Sequence, residues 1–183
     1  CISCVPDTTS KINFKNNDTE FDNSQIQYII NPNDEFGLTR AIWLKENDGA
    51  EIDVITVGLE NTDQILKKVL AIGADRGFRI NQEPLDSFQV AKLLSNHISK
   101  NNYDLVVAGR ESIDYNGGIV PGIIAEILGI NYVTNCVGLE LIDKSAKVKR
   151  EIEGGIETLK CKLPLIIGAV SYTHLTLPTS SQV

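Results

Sequence analysis

The sequence predicts an α/β fold: an open, mostly parallel sheet with helices on both faces and a small β-hairpin extension. Three observations predict it. Short, near-continuous apolar runs at 52–57 (IDVITV) and 104–109 (DLVVAG) read as strands buried on both faces. Between such runs, apolar residues recur at helical spacing, most clearly Val120, Ile123, Ile124, Ile127 and Leu128. Glycines stand where the patterns stop, at Gly58, Gly73 and Gly129. Strand and helix alternating in this way require a parallel sheet covered on both sides. At 183 residues the chain is the size of one domain with a substantial core.

The elements follow in order. Residues 1–5 (CISCV) read as a buried first strand without its beginning, and residues 6–24 as a polar loop with a small hairpin arm. IQYII, 26–30, is a strand stopped by Asn31 and Pro32. A helix follows, with Leu38, Ala41 and Ile42 on one face and Asp34 and Glu35 at its positive end. After 52–57, Asn61 and Gln64 predict a capping box, and Ile65, Val69 and Ile72 form the buried stripe. FRI, 78–80, is a short strand. Asp86 and Gln89 predict the next cap, with Leu85 stapled on Val90 and with Val90, Leu93, Leu94 and Ile98 buried. Beyond residue 130 the pattern turns to strands at 137–142, 146–153 and 156–163, with Gly154 and Gly155 as a hairpin signal, and a last core strand at 163–169.

Composition narrows the function. The net charge of −7 argues against wrapping nucleic acid, which needs clustered lysine and arginine. No apolar run approaches the roughly 20 residues that span a bilayer, so membrane insertion is not expected. No basic and apolar leader opens the chain, and the expectation is a cytoplasmic protein. Cys1 and Cys4 form a lone C-x-x-C followed at once by Pro6 and Asp7, which suits a strand end rather than a redox helix, and no second cysteine pair or histidine cluster completes a metal site. His97 reads as half-buried helix surface, and no Ser-His-Asp set is visible.

The stretch GRESIDYNGGIV, 109–120, carries the chemistry. It joins a strand to a helix. In open parallel sheets ligands sit beyond the strand C-termini, and free amides ahead of a helix make an anion site. Asn116, Gly117 and Gly118 allow close backbone approach, with φ above zero expected at Gly117; Ser112 adds a hydroxyl and Arg110 a positive charge. The spacing matches neither the dinucleotide nor the triphosphate glycine pattern, so the residues alone suit a structural loop and a nucleotide loop equally. Asp114 fits beside a phosphate only if its carboxylate serves the loop backbone. Asn31, Pro32, Asn33 and Asp34 after one strand, and Val57 at the end of another, would complete the crevice.

Six stretches in order resemble one family: VPDTTSKI (5–12), NPNDEFGLTRAIWLKE (31–46), VITVG (54–58), AIGADRG (71–77), DLVVAGRESIDYNGGIVPGIIAEILG (104–129) and VKREIEGGIETLKCKLP (148–164). They are similar to the beta subunits of electron transfer flavoproteins, the FixA-type family. The resemblance covers about residues 1–169. It implies a Rossmann-like, adenine-nucleotide-binding fold and an electron carrier, not an enzyme. It implies pairing with a larger alpha subunit, FAD held mainly by that subunit, and a structural AMP in beta. Electrons would come from flavin dehydrogenases and pass to a quinone-linked acceptor. By position it assigns the AMP contacts to Cys1, Asn31, Pro32, Asn33, Asp34, Val57 and the run Gly109, Arg110, Glu111, Ser112, Ile113, Asp114, Tyr115, Asn116, Gly117, Gly118, Ile119 and Val120. It assigns Arg150 and Glu151 to the partner interface near the flavin. Relative to the family the chain is expected to be truncated at both ends, and 170–183 resembles adapter read-through rather than evolved protein. Two other readings share the crevice: a bifurcating-type beta subunit with a second FAD in place of AMP, and a universal-stress-type nucleotide regulator, which has no use for the 148–164 hairpin. A hydrolase or ligase would need a nucleophile or metal set.

Overall fold

The computed structural model describes residues 1–170. Strands β1 (Cys4–Pro6), β2 (Phe14–Lys15), β3 (Glu20–Phe21) and β4 (Tyr28–Ile30) precede helix α1 (Pro32–Asp48). Then come β5 (Asp53–Gly58), α2 (Asp63–Ile72), β6 (Arg76–Asn81), α3 (Ser87–Ile98), β7 (Leu105–Gly109) and α4 (Val120–Leu128). The chain closes with β8 (Asn131–Ile142), β9 (Ser145–Ile152), β10 (Gly155–Lys162) and β11 (Leu165–Ala169).

The sheet is mixed. Its larger part has the order β10-β9-β8-β11-β7, parallel at β8/β11 and β11/β7 and antiparallel across β8, β9 and β10. A second part pairs β5 with β6 in parallel. Residues 1–3 bridge the two: the Cys1 nitrogen donates to the Val107 carbonyl at 2.7 Å, and the Ile2 amide donates to the Ile55 carbonyl at 3.0 Å. The expected buried strand at 1–5 therefore divides. Its first residues lie between β5 and β7, while Cys4–Pro6 turns away to pair antiparallel with β4. The polar stretch after it does hold a hairpin arm, β2 with β3.

Helices cover both faces, and strand alternation shows how. At β5, Val54 and Ile52 just before the strand pack with Leu38 of α1 and Ile65, Leu66 and Val69 of α2. Ile55, one residue on, packs on the opposite side with Ala91 and Leu94 of α3 and Ile124 of α4. On β11, Leu165 and Ile167 join Leu44 of α1, while Ile166 joins α3 and α4. Each strand is thus mostly apolar because both its faces are buried. Gly37 lets α1 approach β7, since a Cβ there would lie 2.7 Å from Val107 Cγ1.

Four local expectations need correction. Asn61 does not cap α2. Residues Glu60–Thr62 form a 3-10 turn, closed by the Thr62 hydroxyl donating to the Leu59 carbonyl at 2.8 Å. The α2 stripe is Ile65, Leu66 and Val69, and Ile72 is exposed. The Asp86 cap does form, accepting from the Gln89 amide at 2.7 Å, but Leu85 points outward and is 75% exposed, so it staples nothing. Strand β8 also begins earlier than its apolar pattern suggested. Its first half pairs with β11 and its second with β9, and an irregularity at Cys136/Gly138 separates them. Asn135 takes a left-handed φ of 52° there, which asparagine tolerates.

Val170, expected to start the foreign tail, is buried, and its amide donates to the Cys136 carbonyl at 3.3 Å. The rest of that tail lies outside the described residues. Among the described residues no helix is long and apolar enough to cross a membrane.

Candidate functional site

The site starts from one buried carboxylate. Asp34, in the first turn of α1, is 6% exposed. Its Oδ1 accepts from the Gly109 amide at 2.6 Å, and its Oδ2 accepts from the Ser3 amide at 2.8 Å and the Ser3 hydroxyl at 2.6 Å. It therefore ties together α1, the first residues of the chain and the end of β7. Burial pushes this carboxyl above its usual range, against the downward pull of the Ser3 and Gly109 hydrogen bonds.

Asn31, at the N-cap of α1 and 1% exposed, makes the second tie. Its Nδ2 donates to the Glu111 carbonyl at 2.9 Å, and its Oδ1 accepts from the Ile113 amide at 3.2 Å. The Asn33 side-chain Nδ2 also donates to the Glu111 carbonyl, at 3.0 Å. Pro32 opens the helix, where a missing N–H costs nothing. So Asn31 and Asn33 turn their side-chain amides onto the loop after β7, and Asp34 ties the last residue of β7 to Ser3. These residues hold the loop's shape.

The loop has a rigid base and an open crest. Its base is pinned by the Arg110 amide donating to the Ala169 carbonyl at 2.8 Å, and by the Ser112 amide donating to the Gly117 carbonyl at 3.0 Å. Arg110 is paired with Glu111 at 2.7 Å, so its charge is largely spent locally. The Asp114 carboxylate accepts from the Tyr115 amide at 2.9 Å and serves the loop backbone. Tyr115 is exposed, and Asn116 takes a φ of 51°. The left-handed position expected at Gly117 thus belongs to Asn116, and neither Gly117 nor Gly118 has a positive φ. A Cβ at Gly118 would come within 3.1 Å of the Arg110 carbonyl oxygen, whereas one at Gly117 would meet only Ser112 Oγ, at 3.6 Å. Among the described residues, the amides of Gly117, Gly118 and Ile119 donate to no other group. They lead into α4, where Pro121 has no N–H and Val120 and Gly122 carry first-turn amides without a partner within the helix. A row of unpaired amides before a helix is what an anion requires.

Cys1 and Val57 approach from the other side. Both pack, half-buried, against the α3/α4 core together with Val120.

Arg150 and Glu151 stand apart from this crevice. The register runs from Gly109 to Ala169, Cys136 and Arg150 across three strand spacings, about 14 Å at the usual separation. Arg150 sits at the same level of the sheet and pairs with Glu157 at 2.6 Å, while Glu151 is exposed near the hairpin tip.

Two features escaped the sequence reading. Ser3 supplies two of the three donors to Asp34, and its only signal is a hydroxyl placed among apolar residues of a buried stretch. A cavity of about 600 Å³ runs from Cys1 and Asp34 of the site toward the starts of β5 and β7, lined also by Ile2, Leu38, Asp53 and Tyr103. No loop residue from 109 to 120 lines it. The four cysteines are free thiols. Burial pushes those of Cys4 and Cys136 up to about 11, which makes them poor nucleophiles.

The electron transfer flavoprotein domain family matches residues 19–175. The electron transfer flavoprotein subunit beta of Bacillus subtilis (strain 168) is 34% identical over 168 residues, 89% of this chain and 64% of that protein. The protein of the same name from Syntrophomonas wolfei is 34% identical over 182 residues, 98% of this chain and 71% of its own length. The caffeyl-CoA reductase-Etf complex subunit CarD of Acetobacterium woodii is 32% identical over 176 residues, 93% of this chain and 66% of its own length. The chain thus spans only 64% of the Bacillus relative's length. A match that takes in most of the chain places it plainly: it belongs to the electron transfer flavoprotein domain family and is of the beta-subunit type.

Proposed function

We propose that this chain is the nucleotide-holding part of a beta subunit that pairs with an alpha subunit to carry electrons, without catalysing a reaction of its own. The observation that carries this is the bracket from Asn31, Asn33 and Asp34 to Gly109, Glu111 and Ile113, which leaves the Gly117–Ile119 amides unpaired above α4. These residues fit a nucleotide monophosphate. The amides and the α4 N-terminus would hold the phosphate, and Cys1, Val57 and Val120 would flank the adenosine with apolar surface. With Arg110 engaged by Glu111, amides rather than a free cation supply the compensation.

In this reading AMP is structural, and FAD is held mainly by the alpha subunit. Such a flavin would supply one- or two-electron chemistry between a flavin dehydrogenase and a quinone-linked acceptor. This chain would orient and shield the boundary, with Arg150 and Glu151 facing the partner. The setting would be the cytoplasm. A second reading, a bifurcating-type subunit with FAD in place of AMP, is favoured by relatives named as parts of reductase complexes, the caffeyl-CoA subunit and the acryloyl-CoA reductase electron transfer subunit gamma of Anaerotignum propionicum.

Gly117→Val tests the loop. The substituted backbone needs no left-handed φ, and its Cβ meets only Ser112 Oγ at 3.6 Å, so stability should change by less than about 0.5 kcal/mol. The branched methyls would occupy space over the amides, and nucleotide retained through purification should fall about tenfold or more. A folded variant with unchanged nucleotide content contradicts the assignment.

A further inference from the structure

Strands β8, β9 and β10 have two unlike faces. Leu139, Ala146 and Val148 are buried inward, with Leu159 and Cys161 packed beside them. By alternation, Lys147 and Lys149 of β9 and Lys160 and Lys162 of β10 point outward, and all four are exposed. Lys147 pairs in register with Lys160, so two like charges stand directly opposite, an arrangement that costs stability. Only Lys147 has a carboxylate within reach, Glu140 at 3.8 Å. Lys149, Lys160 and Lys162 have none within 4 Å among the described residues. Opposite Lys149 stands Gly138, where a Cβ would lie 3.3 Å from Lys149 Cβ, so the lysine stem covers bare backbone.

Lysine on an edge strand commonly blocks edge-to-edge aggregation. That accounts for Lys160 and Lys162, because β10 is the edge, but not for Lys147 and Lys149 on β9, which is paired on both sides. Four like charges spaced about 5 Å across and 7 Å along the strands, in a chain of net charge −7, form a local patch of the opposite sign. Exposed Ile156 and Ile142 lie at its two ends.

We propose that this outward face docks an acidic patch on a partner protein. The lysines steer and align it, and the two isoleucines supply apolar contact. Charge complementarity chooses the occupant. The basic area is short and ends near Asp143, Glu151 and Glu153, so a polynucleotide would run past it onto repelling carboxylates, whereas a compact acidic patch would not.

Fluorescence anisotropy on the full 183-residue chain tests this. The probe is a labelled peptide of about six alternating aspartates and glutamates, roughly 20 Å when extended. It should bind at about 20 mM NaCl and weaken about tenfold at about 200 mM. Lys149→Glu with Lys160→Glu should cut affinity about tenfold or more, while Lys67→Glu with Lys92→Glu, the same charge change on two exposed helix positions, should leave it within about twofold. If the first pair disturbs folding, Lys149→Gln with Lys160→Gln should give the same ranking. No binding at low salt, equal losses in the two pairs, or tighter binding of a duplex of about 16 base pairs would each overturn the proposal.

Discussion

Asp34→Ala should destabilise the chain by about 3 kcal/mol or more, because it strands three donors that one buried carboxylate now satisfies. Leaving a buried donor unpaired costs its full desolvation, about 1–3 kcal/mol for each. Urea denaturation followed by circular dichroism reads the loss, as a lower midpoint at unchanged slope. A loss of under 1 kcal/mol would show that water replaces the carboxylate and that the bracket is not what holds the loop. The same residue carries a pH signature. Burial holds its folded pKa above the ordinary carboxylate value, so the native state keeps a proton that the unfolded chain has released. This group's contribution to stability is therefore full below the ordinary value and declines as pH rises through the raised one. Asp34→Asn should remove that decline, seen as a difference between the two pH–stability curves.

Gly109→Val is expected to be as damaging for a different reason. A Cβ at Gly109 would lie 2.5 Å from Asp34 Oδ1 and 2.9 Å from both Asn33 Cβ and the Asp34 nitrogen. Two of these neighbours belong to the rigid first turn of α1, so the loop would have to leave it. Overpacking of this kind costs about 1–3 kcal/mol, and loss of the Gly109 hydrogen bond to Asp34 adds to it. Gly109→Ala alone meets the same first clash and allows a double-mutant cycle. In an Asp34→Ser background the nearest oxygen is withdrawn, and the penalty of the alanine should shrink by about 1 kcal/mol. Strict additivity would mean that the two residues do not share the contact.

Much of this was legible because burial writes itself into composition. Runs such as 52–57 and 104–109 are largely apolar because helices cover both sides, and the capping signal at Asp86 and Gln89 is realised in the Gln89 amide donating to Asp86, although the Gln89 side chain accepts from the Leu85 amide rather than from Asp86. What could not be read depends on tertiary neighbours. Asn135 marks an irregularity only once β8 is seen to change partners between β11 and β9. Ile72 looks helical and buried, yet no element covers it. At the site, residue types pointed to the right loop but not to the division of labour. Asn31 and Asp34 have the residue types of ligand contacts, whereas their polar atoms are used by the loop after β7 and by Ser3. Gly117 is the residue type that favours the left-handed position, whereas Asn116 supplies that conformation. Side chains that satisfy backbone and side chains that await a ligand look alike until their partners are known.

The most direct test is to co-express the chain in its full-length protein with the alpha subunit, purify the complex, denature it and identify the released nucleotides by mass spectrometry. AMP and FAD in near-equal amounts are predicted, and two FAD per complex would select the bifurcating reading of the same crevice. Release of ATP without flavin, or of no nucleotide at all, would contradict the claim that the unpaired amides above α4 cradle an adenosine phosphate.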